Sequence, residues 1–159
     1  EIKEFVQSAN DAELDILVRS PNWFVRKFVA ERGRAQDLNI LVRDKSVVVK
    51  TEVLRHMRPQ DFEILVHDAD FTVREVVARY TRAYDDLLSD DESEWVRAQV
   101  VRLTDNDSIL SKAVYDDSSM VRYNVLVHGK IGNAIQLLHD SNITNRVFAE
   151  DICSSLSVH

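Results

Sequence analysis

The amino-acid sequence predicts an all-α fold: a right-handed superhelix, or α-solenoid, of about six two-helix repeats with a period near 24 residues. A short valine–basic phrase returns at nearly constant spacing, and a residue suited to capping a helix precedes every copy. Only 3 Gly and 2 Pro interrupt 159 residues, which favours helices over a turn-rich β fold. A period of this length is typical of arrays in which one supersecondary unit stacks on itself.

The repeated phrase predicts where one helix of each unit begins. Its copies are separated by 24, 24, 23, 25 and 24 residues, starting at Val25, Val49, Val73, Val96, Val121 and, in a worn last copy, Asn145. Three residues earlier stand Asn22, Ser46, Asp70, Ser93, Ser118 and Asn142. Residues of these types accept hydrogen bonds from the free amides of a first helical turn. A helix, termed helix B, is therefore predicted to begin at each of them.

A second, shorter helix precedes helix B in each unit. Apolar residues lie eight positions before the valine, at Leu17, Leu41, Leu65, Leu88, Ala113 and Leu137. A further apolar column lies three residues earlier, which is helical spacing. Because two helices and two turns share one period, this helix A is predicted to have about eight residues and 3₁₀ character. Helices A and B then form an antiparallel hairpin, and stacking of hairpins buries a continuous core.

The period divides the chain into units of a single array over residues 1–159. The repeats are predicted at about 11–33, 35–57, 59–81, 84–104, 106–129 and 131–157. Residues 1–8 align with a helix B that has no helix A, so they are expected to be a remnant or cap helix, and whether the N-terminus is truncated from a longer array stays open. The polar Asn145 and Glu150 suggest a solvent-facing cap in the last repeat.

Three segments carry a resemblance to a known family: LDILVRSPNWFVRKFVAERG, LNILVRDKSVVVKTEVLRHM and FEILVHDADFTVREVVARYT. They resemble the leucine-rich repeat variant family, which is similar in style to HEAT-like repeats. The resemblance implies two short helices per unit, no strands, and a function in presenting surfaces. Some family members carry a cysteine cluster for an iron–sulfur centre. Cys153 is the single cysteine here, so no cofactor is expected.

Charge and composition narrow the possible functions. Residues 1–83 carry 14 basic and 14 acidic residues, whereas residues 84–159 carry 6 and 13 and account for the whole net charge of −7. This balance does not favour a general nucleic-acid binder, although a basic face in the first half stays possible. A single cysteine is typical of a reducing compartment, and no apolar run approaches the ~20 residues of a membrane span. We therefore expect a cytoplasmic protein without membrane contact.

Charged columns at the start of helix B predict a structural ladder. The basic column contains Arg26, Lys50, Arg74, Arg97, Arg122 and Arg146. The acidic column, five residues before the valine, contains Asp44, Asp68, Asp91, Asp116 and Asp140. We expect hydrogen-bonded ion pairs within or between repeats, because a column present in every copy serves what every copy needs. A nucleic-acid-binding row is the alternative interpretation.

Two further rows stop in the middle of the chain and are the candidate binding residues. One row is Arg34, Arg58 and Arg82, and the other is Arg19, Arg43 and His67. Either they are solubilising charges in exposed turns, or they bind an acidic peptide or a phosphate backbone through charge-assisted hydrogen bonds. A column needed only for folding is expected to persist, as the caps do.

No motif for catalysis or metal binding is recognisable. The histidines and the acidic residues of positions 85–94 fit no metal-ligand spacing, so surface roles are expected for them. The aromatic residues Trp23, Phe24, Phe71, Trp95 and Tyr123 are expected to pack between repeats. The sequence thus predicts a non-enzymatic, monomeric scaffold that binds a protein or peptide. The alternative is a HEAT-like protein that binds nucleic acid or resembles a DNA glycosylase.

Overall fold

The fold was analysed in a computed structural model that describes residues 1–155, and this part of the chain contains thirteen α-helices and no strand. The predicted all-α repeat fold is confirmed. The end of the last predicted repeat, residues 156–157, and His159 lie outside the described residues. Contacts divide the chain into a first unit, Glu1–Tyr80, and a second unit that begins at Thr81.

The first unit contains one leading helix and three A–B hairpins. They are α1 (Ile2–Ser8), α2 (Asp11–Leu17) with α3 (Trp23–Arg32), α4 (Ala35–Leu41) with α5 (Val47–Leu54), and α6 (Pro59–Leu65) with α7 (Phe71–Tyr80). The B helices stack in order: α1 packs on α3, α3 on α5, and α5 on α7. Arg32 Nη1 ties α1 to this stack by donating to the carbonyl oxygens of Val6 and Gln7 at 2.9 and 2.7 Å.

The second unit contains three more hairpins. They are α8 (Asp85–Leu88) with α9 (Glu94–Leu103), α10 (Asp107–Ala113) with α11 (Ser119–Val127), and α12 (Ile131–Leu137) with α13 (Ile143–Ser155). Here α9 packs on α11, and α11 packs on α13. Each unit therefore repeats the same hairpin. The prediction of a single array across both units stays a prediction.

Helix B begins one residue after every predicted cap, but the caps work in two ways. The side chains of Asn22, Asp70 and Asn142 accept an amide hydrogen bond from the first turn. The three serine caps, Ser46, Ser93 and Ser118, form no side-chain cap bond. At those positions the aspartate two residues earlier accepts the serine amide, at 2.8 Å in each case. At the three serine positions, the side-chain hydrogen bond that stabilises the turn therefore comes from the acidic column and not from the cap residue.

Helix A is α-helical rather than 3₁₀ and has seven residues in every repeat except the fourth. There α8 has only four residues, Asp85–Leu88. Asp37 precedes the buried Leu41 by four residues, whereas Asp85 precedes the buried Leu88 by three. One residue is therefore missing inside this helix, which explains the single 23-residue interval.

The core consists of the predicted apolar columns. Five of the residues four positions after the valine are valines with no exposed surface, and the sixth is the equally buried Ala149. The first and last members of the valine column itself differ from the others, and the prediction for Asn145 is wrong. Val25 is only half-buried, and Asn145 is buried instead of facing solvent. Asn145 is tolerated there because its Nδ2 donates to the Ser119 carbonyl oxygen at 3.0 Å, which satisfies the buried amide.

Candidate binding surfaces

The ladder residues form ion pairs between successive repeats. In the first unit, Arg26 Nε and Nη2 donate to the two carboxylate oxygens of Asp44 at 2.6 and 2.8 Å, and both side chains are buried. Arg26 Nη1 also donates to the carbonyl oxygens of Ser20 and Pro21 in its own A–B turn. One guanidinium group therefore joins a helix start, its own turn and the next repeat, in the bidentate geometry that favours arginine.

The same arrangement recurs in the second unit. Arg97 pairs with Asp116 and Arg122 pairs with Asp140, each through two hydrogen bonds. In the first unit, Lys50 Nζ makes a single 2.5 Å contact with one carboxylate oxygen of Asp68. Arg74 and Arg146 donate to carbonyl oxygens of the preceding turn, at Asp68 and Asp140. Asp91 accepts the Ser93 amide through its side chain and the Arg97 guanidinium through its backbone carbonyl.

These contacts lower the pKa of three ladder acids, Asp44, Asp116 and Asp140. For Asp44, burial is the largest single influence and would raise the pKa. The hydrogen bonds from Arg26 and the Ser46 amide, with the positive charge of Arg26, outweigh burial and lower it. The pKa of Asp116 is lowered in the same way, because the hydrogen bonds from Arg97 and the Ser118 amide outweigh burial. For Asp140, the hydrogen bond from Arg122 is the largest influence and lowers the pKa directly.

The first candidate binding row is engaged inside the fold. Arg34 donates from Nε and Nη2 to the two oxygens of Asp37 at 2.8 Å each, and its Nη2 also reaches Asp15 at 2.6 Å. Arg58 forms an ion pair with Asp61, Nε to Oδ2 at 2.9 Å, and donates to Asn39 Oδ1. Both arginine side chains are only 15% exposed. Arg34 and Arg58 are therefore paired and largely buried rather than solubilising charges in exposed turns, and a binding role for this row stays a prediction.

Arg82, the third member of this row, is held more loosely. Its Nε lies 3.7 Å from Asp85 Oδ1, and its side chain is 37% exposed. Asp85 is buried, its Oδ1 has no hydrogen-bond partner, and burial raises its pKa above the ordinary value. At the shortened helix α8, the arginine–aspartate pair is therefore longer and more exposed than the equivalent pairs of the first unit.

The second candidate row lies on the surface of the first unit. Arg19, Arg43 and His67 are exposed and follow helix A in its turn to helix B. Among the described residues their side chains form no hydrogen bond or ion pair. Beside them, three positions earlier, lie Ile16, Ile40 and Ile64, a 24-residue column that sequence reasoning missed. Ile16 and Ile40 are exposed, and Ile64 is partly exposed. These six residues are termed the A–B edge.

Large apolar side chains also lie on the exposed face of the B helices, opposite the buried valine column. In the first unit this helix-B face carries Trp23, Phe24, Val48 and Phe71, each about 40–45% exposed. In the second unit it carries Trp95, Tyr123, Ile143 and Val147. The expectation that the aromatic residues pack between repeats holds for Tyr123, whose ring lies 5.5 Å from that of Phe148. Trp23 and Phe24 contact each other within α3 and stay on the surface.

The helix-B face of the second unit is concave between α11 and α13. A cleft of about 390 Å³ is lined by Tyr123, Ile143, Val147 and Phe148, with Thr144 and Asp151 as its polar members. A mostly apolar cleft with a few polar groups is the usual form of a binding site for an apolar side chain.

Two histidines, His56 and His128, contact the backbone of a neighbouring helix. His56 Nε2 lies 2.7 Å from the Ala30 carbonyl oxygen, and His128 Nε2 lies 2.6 Å from the Val101 carbonyl oxygen. Each ring therefore reaches the preceding B helix. In the part of the chain that the structure describes, no three His, Cys, Asp or Glu residues are arranged to hold a metal ion. No described helix is long and apolar enough to cross a membrane.

Comparisons with known proteins identify the fold. No protein-family model matches the chain, and no curated protein matches it. Among solved structures it is similar to one described as "a leucine-rich repeat variant with a novel repetitive protein structural motif", with a TM-score of 0.83 and 20% sequence identity. The match covers 95% of this chain and 64% of that one. The resemblance found in the sequence is therefore confirmed, and the chain has the fold of a leucine-rich repeat variant.

Proposed function

We propose that this chain is a non-enzymatic repeat scaffold that binds a protein or peptide on the helix-B face. The observation that carries the proposal is the recurrence of large, exposed apolar side chains at the starts of the B helices. Grouped apolar residues that the chain itself leaves uncovered mark protein interaction sites. Tryptophan and tyrosine are also enriched among the residues that dominate binding energy at such interfaces. The repeat fold suits this role because stacked repeats offer an extended surface.

The charges on this face support a protein partner over a nucleic acid. In the first unit, Arg79 pairs with Glu75 at 2.6 Å on α7. Lys27 and Arg55 lie 3.9 and 3.8 Å from Glu31 and Glu52. A nucleic-acid surface needs unpaired cations that displace counterions from phosphates. Because each of these three cations has a neighbouring glutamate, the alternative of a HEAT-like nucleic-acid binder or glycosylase-like protein is less favoured on this face of the first unit.

A selection experiment tests the proposal. A displayed library of random peptides is selected on the purified chain, and enriched peptides are measured by fluorescence anisotropy beside a random single-stranded oligonucleotide. For peptides that bind the first unit, Trp23→Ser and Phe71→Ser are expected to weaken binding at least fivefold and leave Tm nearly unchanged. Ile135→Ser, an exposed apolar change on helix A of the last repeat, is the matched control. Tight oligonucleotide binding with no enriched peptide contradicts the proposal.

The remaining expectations belong to the same proposal. The scaffold is expected to act as a monomer in the cytoplasm, without a cofactor and without catalysis. Sedimentation of the purified chain across a range of concentrations checks the monomer. Cleavage of DNA or release of a modified base, abolished by a point mutation in the chain, contradicts the absence of catalysis.

A further inference from the structure

The A–B edge differs from its counterpart in the second unit by the contacts between neighbouring repeats. In the second unit, the residue six positions before the valine contacts the residue nine positions before the next valine. Asp90 forms an ion pair with Lys112 in this way. Tyr115 donates its hydroxyl hydrogen to Gln136 Oε1 at 2.8 Å. These two register positions therefore satisfy each other within the second unit.

The same register positions in the first unit hold residues that cannot satisfy each other. They are Arg19 with Ile40 and Arg43 with Ile64. An isoleucine offers no acceptor, and neither guanidinium group finds another partner among the described residues. Ile16, at the start of the apolar row, is 75% exposed. The result is a row of unpaired cations beside a row of exposed isoleucines, both with the period of the repeat.

From this arrangement we infer that the A–B edge of the first unit binds an acidic, amphipathic segment of a partner protein. Carboxylates of the partner pair with Arg19 and Arg43, since guanidinium groups match carboxylates in a bidentate manner. Apolar side chains of the partner cover Ile16 and Ile40. The inference is based on charge complementarity and on two matching periodic rows. It concerns a surface separate from the helix-B face, so either proposal can fail alone.

The spacing of the rows restricts the partner further. Packed helices lie about 8–10 Å apart, so one cation is presented roughly every 8–10 Å along the edge. A helical partner rises about 1.5 Å per residue and would place an acid about every five to seven residues. An extended partner would place an acid about every third residue. Whether the partner is helical or extended, its apolar residues must lie beside its acidic residues so that they reach the isoleucine row.

A protein partner fits this edge better than a phosphate backbone. Phosphate groups would satisfy the two arginines, but they would leave the isoleucine row in contact with a charged, hydrated chain. Covering exposed apolar side chains stabilises a complex by removing their surface from water. The isoleucine row is therefore the feature that favours an amphipathic peptide.

The test is a peptide selection that separates the two rows. A displayed library of random 20-residue peptides is selected on the whole chain and counter-selected on the double variant R19A/R43A. Enriched peptides are expected to combine Asp or Glu with Leu, Ile or Phe. By anisotropy, R19A/R43A is expected to weaken their binding at least tenfold and Ile40→Ser about fivefold, and added salt is expected to weaken binding to the wild type.

The controls distinguish charge in general from this edge in particular. Arg102→Ala removes an exposed arginine elsewhere, in helix α9, and is expected to change affinity less than twofold. The circular dichroism melt of R19A/R43A is expected to match that of the wild type. The inference is overturned if no acidic peptide is enriched, or if R19A/R43A binds the enriched peptides as tightly as the wild type.

Two other occupants would give distinct results. If a random oligonucleotide displaces the peptide and binds more tightly than it does, the edge is a phosphate-binding surface and the inference is wrong. If sedimentation shows a dimer of the wild type that R19A/R43A lacks, and the peptide dissociates that dimer, the occupant is a second copy of the chain. That outcome also overturns the inference.

Discussion

The A–B edge of the first unit and its counterpart in the second unit differ in whether their side chains are satisfied within the chain. In the second unit, Asp90 contacts Lys112 and Tyr115 contacts Gln136, so the positions are satisfied within the chain. In the first unit, the corresponding Arg19 and Arg43 face isoleucine positions and stay unpaired. Both units keep the buried ladder of helix B. Since the ladder persists and the edge changes, folding accounts for the ladder, whereas it gives no reason for the unpaired cations of the edge.

The largest expected effect comes from breaking the ladder, and it should be similar in both units. Arg26→Ala and Arg122→Ala are each expected to lower the free energy of unfolding by about 3 kcal/mol, because a buried aspartate loses its partner. Denaturant unfolding of Arg26→Ala, of Asp44→Ala and of the double variant measures the interaction energy between these two side chains. If the losses add without an interaction energy, Arg26 and Asp44 do not stabilise each other.

A second comparison uses glycines just beyond the ends of two B helices, Gly33 after α3 and Gly129 after α11. Both have positive φ, 73° and 64°, where alanine is strained. A Cβ on Gly33 would lie 2.7 Å from His56 Cε1, whereas a Cβ on Gly129 meets no atom within 4 Å. Gly129→Ala is expected to cost about 1 kcal/mol from backbone strain alone. Gly33→Ala is expected to cost about 1 kcal/mol more, because His56 must leave the Ala30 carbonyl oxygen.

Thermal unfolding of both alanine variants gives these two values. In a His56→Ala background the additional cost at Gly33 is expected to disappear. Equal costs at Gly33 and Gly129 in the wild-type background would show that the His56 ring moves aside freely.

The fold was predictable because its signals are local and repeated. Six caps and three apolar columns agree on the same helices, and each needs only helical spacing to be interpreted. The shortened helix α8 was visible only as a 23-residue interval, whose position within the repeat the spacing does not reveal. The burial of Asn145 depends on the Ser119 carbonyl oxygen, 26 residues away in the chain, which no local pattern indicates.

The candidate site was predictable in part. Arg34 and Arg58 each precede an aspartate by three residues on the same helix, and this spacing was a signal that they pair locally. The isoleucine row was also present in the sequence, in the runs ILVR, ILVR and ILVH. Exposure of Trp23 and Phe24 could not be predicted, because it depends on the side chains of neighbouring repeats rather than on periodicity.

A smaller effect distinguishes the acids that begin helix A in the two units. Asp37 is buried and accepts two hydrogen bonds from Arg34, so Asp37→Asn is expected to lower the free energy of unfolding by about 1–2 kcal/mol at pH 7. Asp85 is buried with a hydrogen bond from Thr104 but no close cation, and its Oδ1 has no hydrogen-bond partner, so Asp85→Asn is expected to be neutral or slightly stabilising at pH 7. Denaturant unfolding of both variants decides between these outcomes.

The pH dependence gives an independent check on Asp85. Because burial raises its pKa in the folded state, its contribution to stability is fully present below the ordinary pKa of 3.8 and is lost as pH rises through the folded pKa. The wild type should therefore lose this contribution above pH 3.8, and Asp85→Asn should not. A loss of equal size in both proteins would assign it to another group.

The smallest expected effect comes from giving the first unit the internal partner that the second unit has. Ile40→Glu places a carboxylate at the position that corresponds to Lys112, next in register to Arg19. Ile40→Gln removes the same apolar side chain without adding charge and is the matched control. We expect the Glu variant to be more stable than the Gln variant by about 0.3–0.5 kcal/mol at low salt, the usual size of an exposed ion pair. The difference should shrink as salt is added, and it should vanish when Arg19 is also replaced by Ala.

Both variants should bind acidic peptides more weakly than the wild type, and Ile40→Glu should bind them least because it repels their carboxylates. Equal stabilities of Ile40→Glu and Ile40→Gln at low salt would show that Arg19 and position 40 are not neighbours, and the comparison of the two edges would then fail in the first unit.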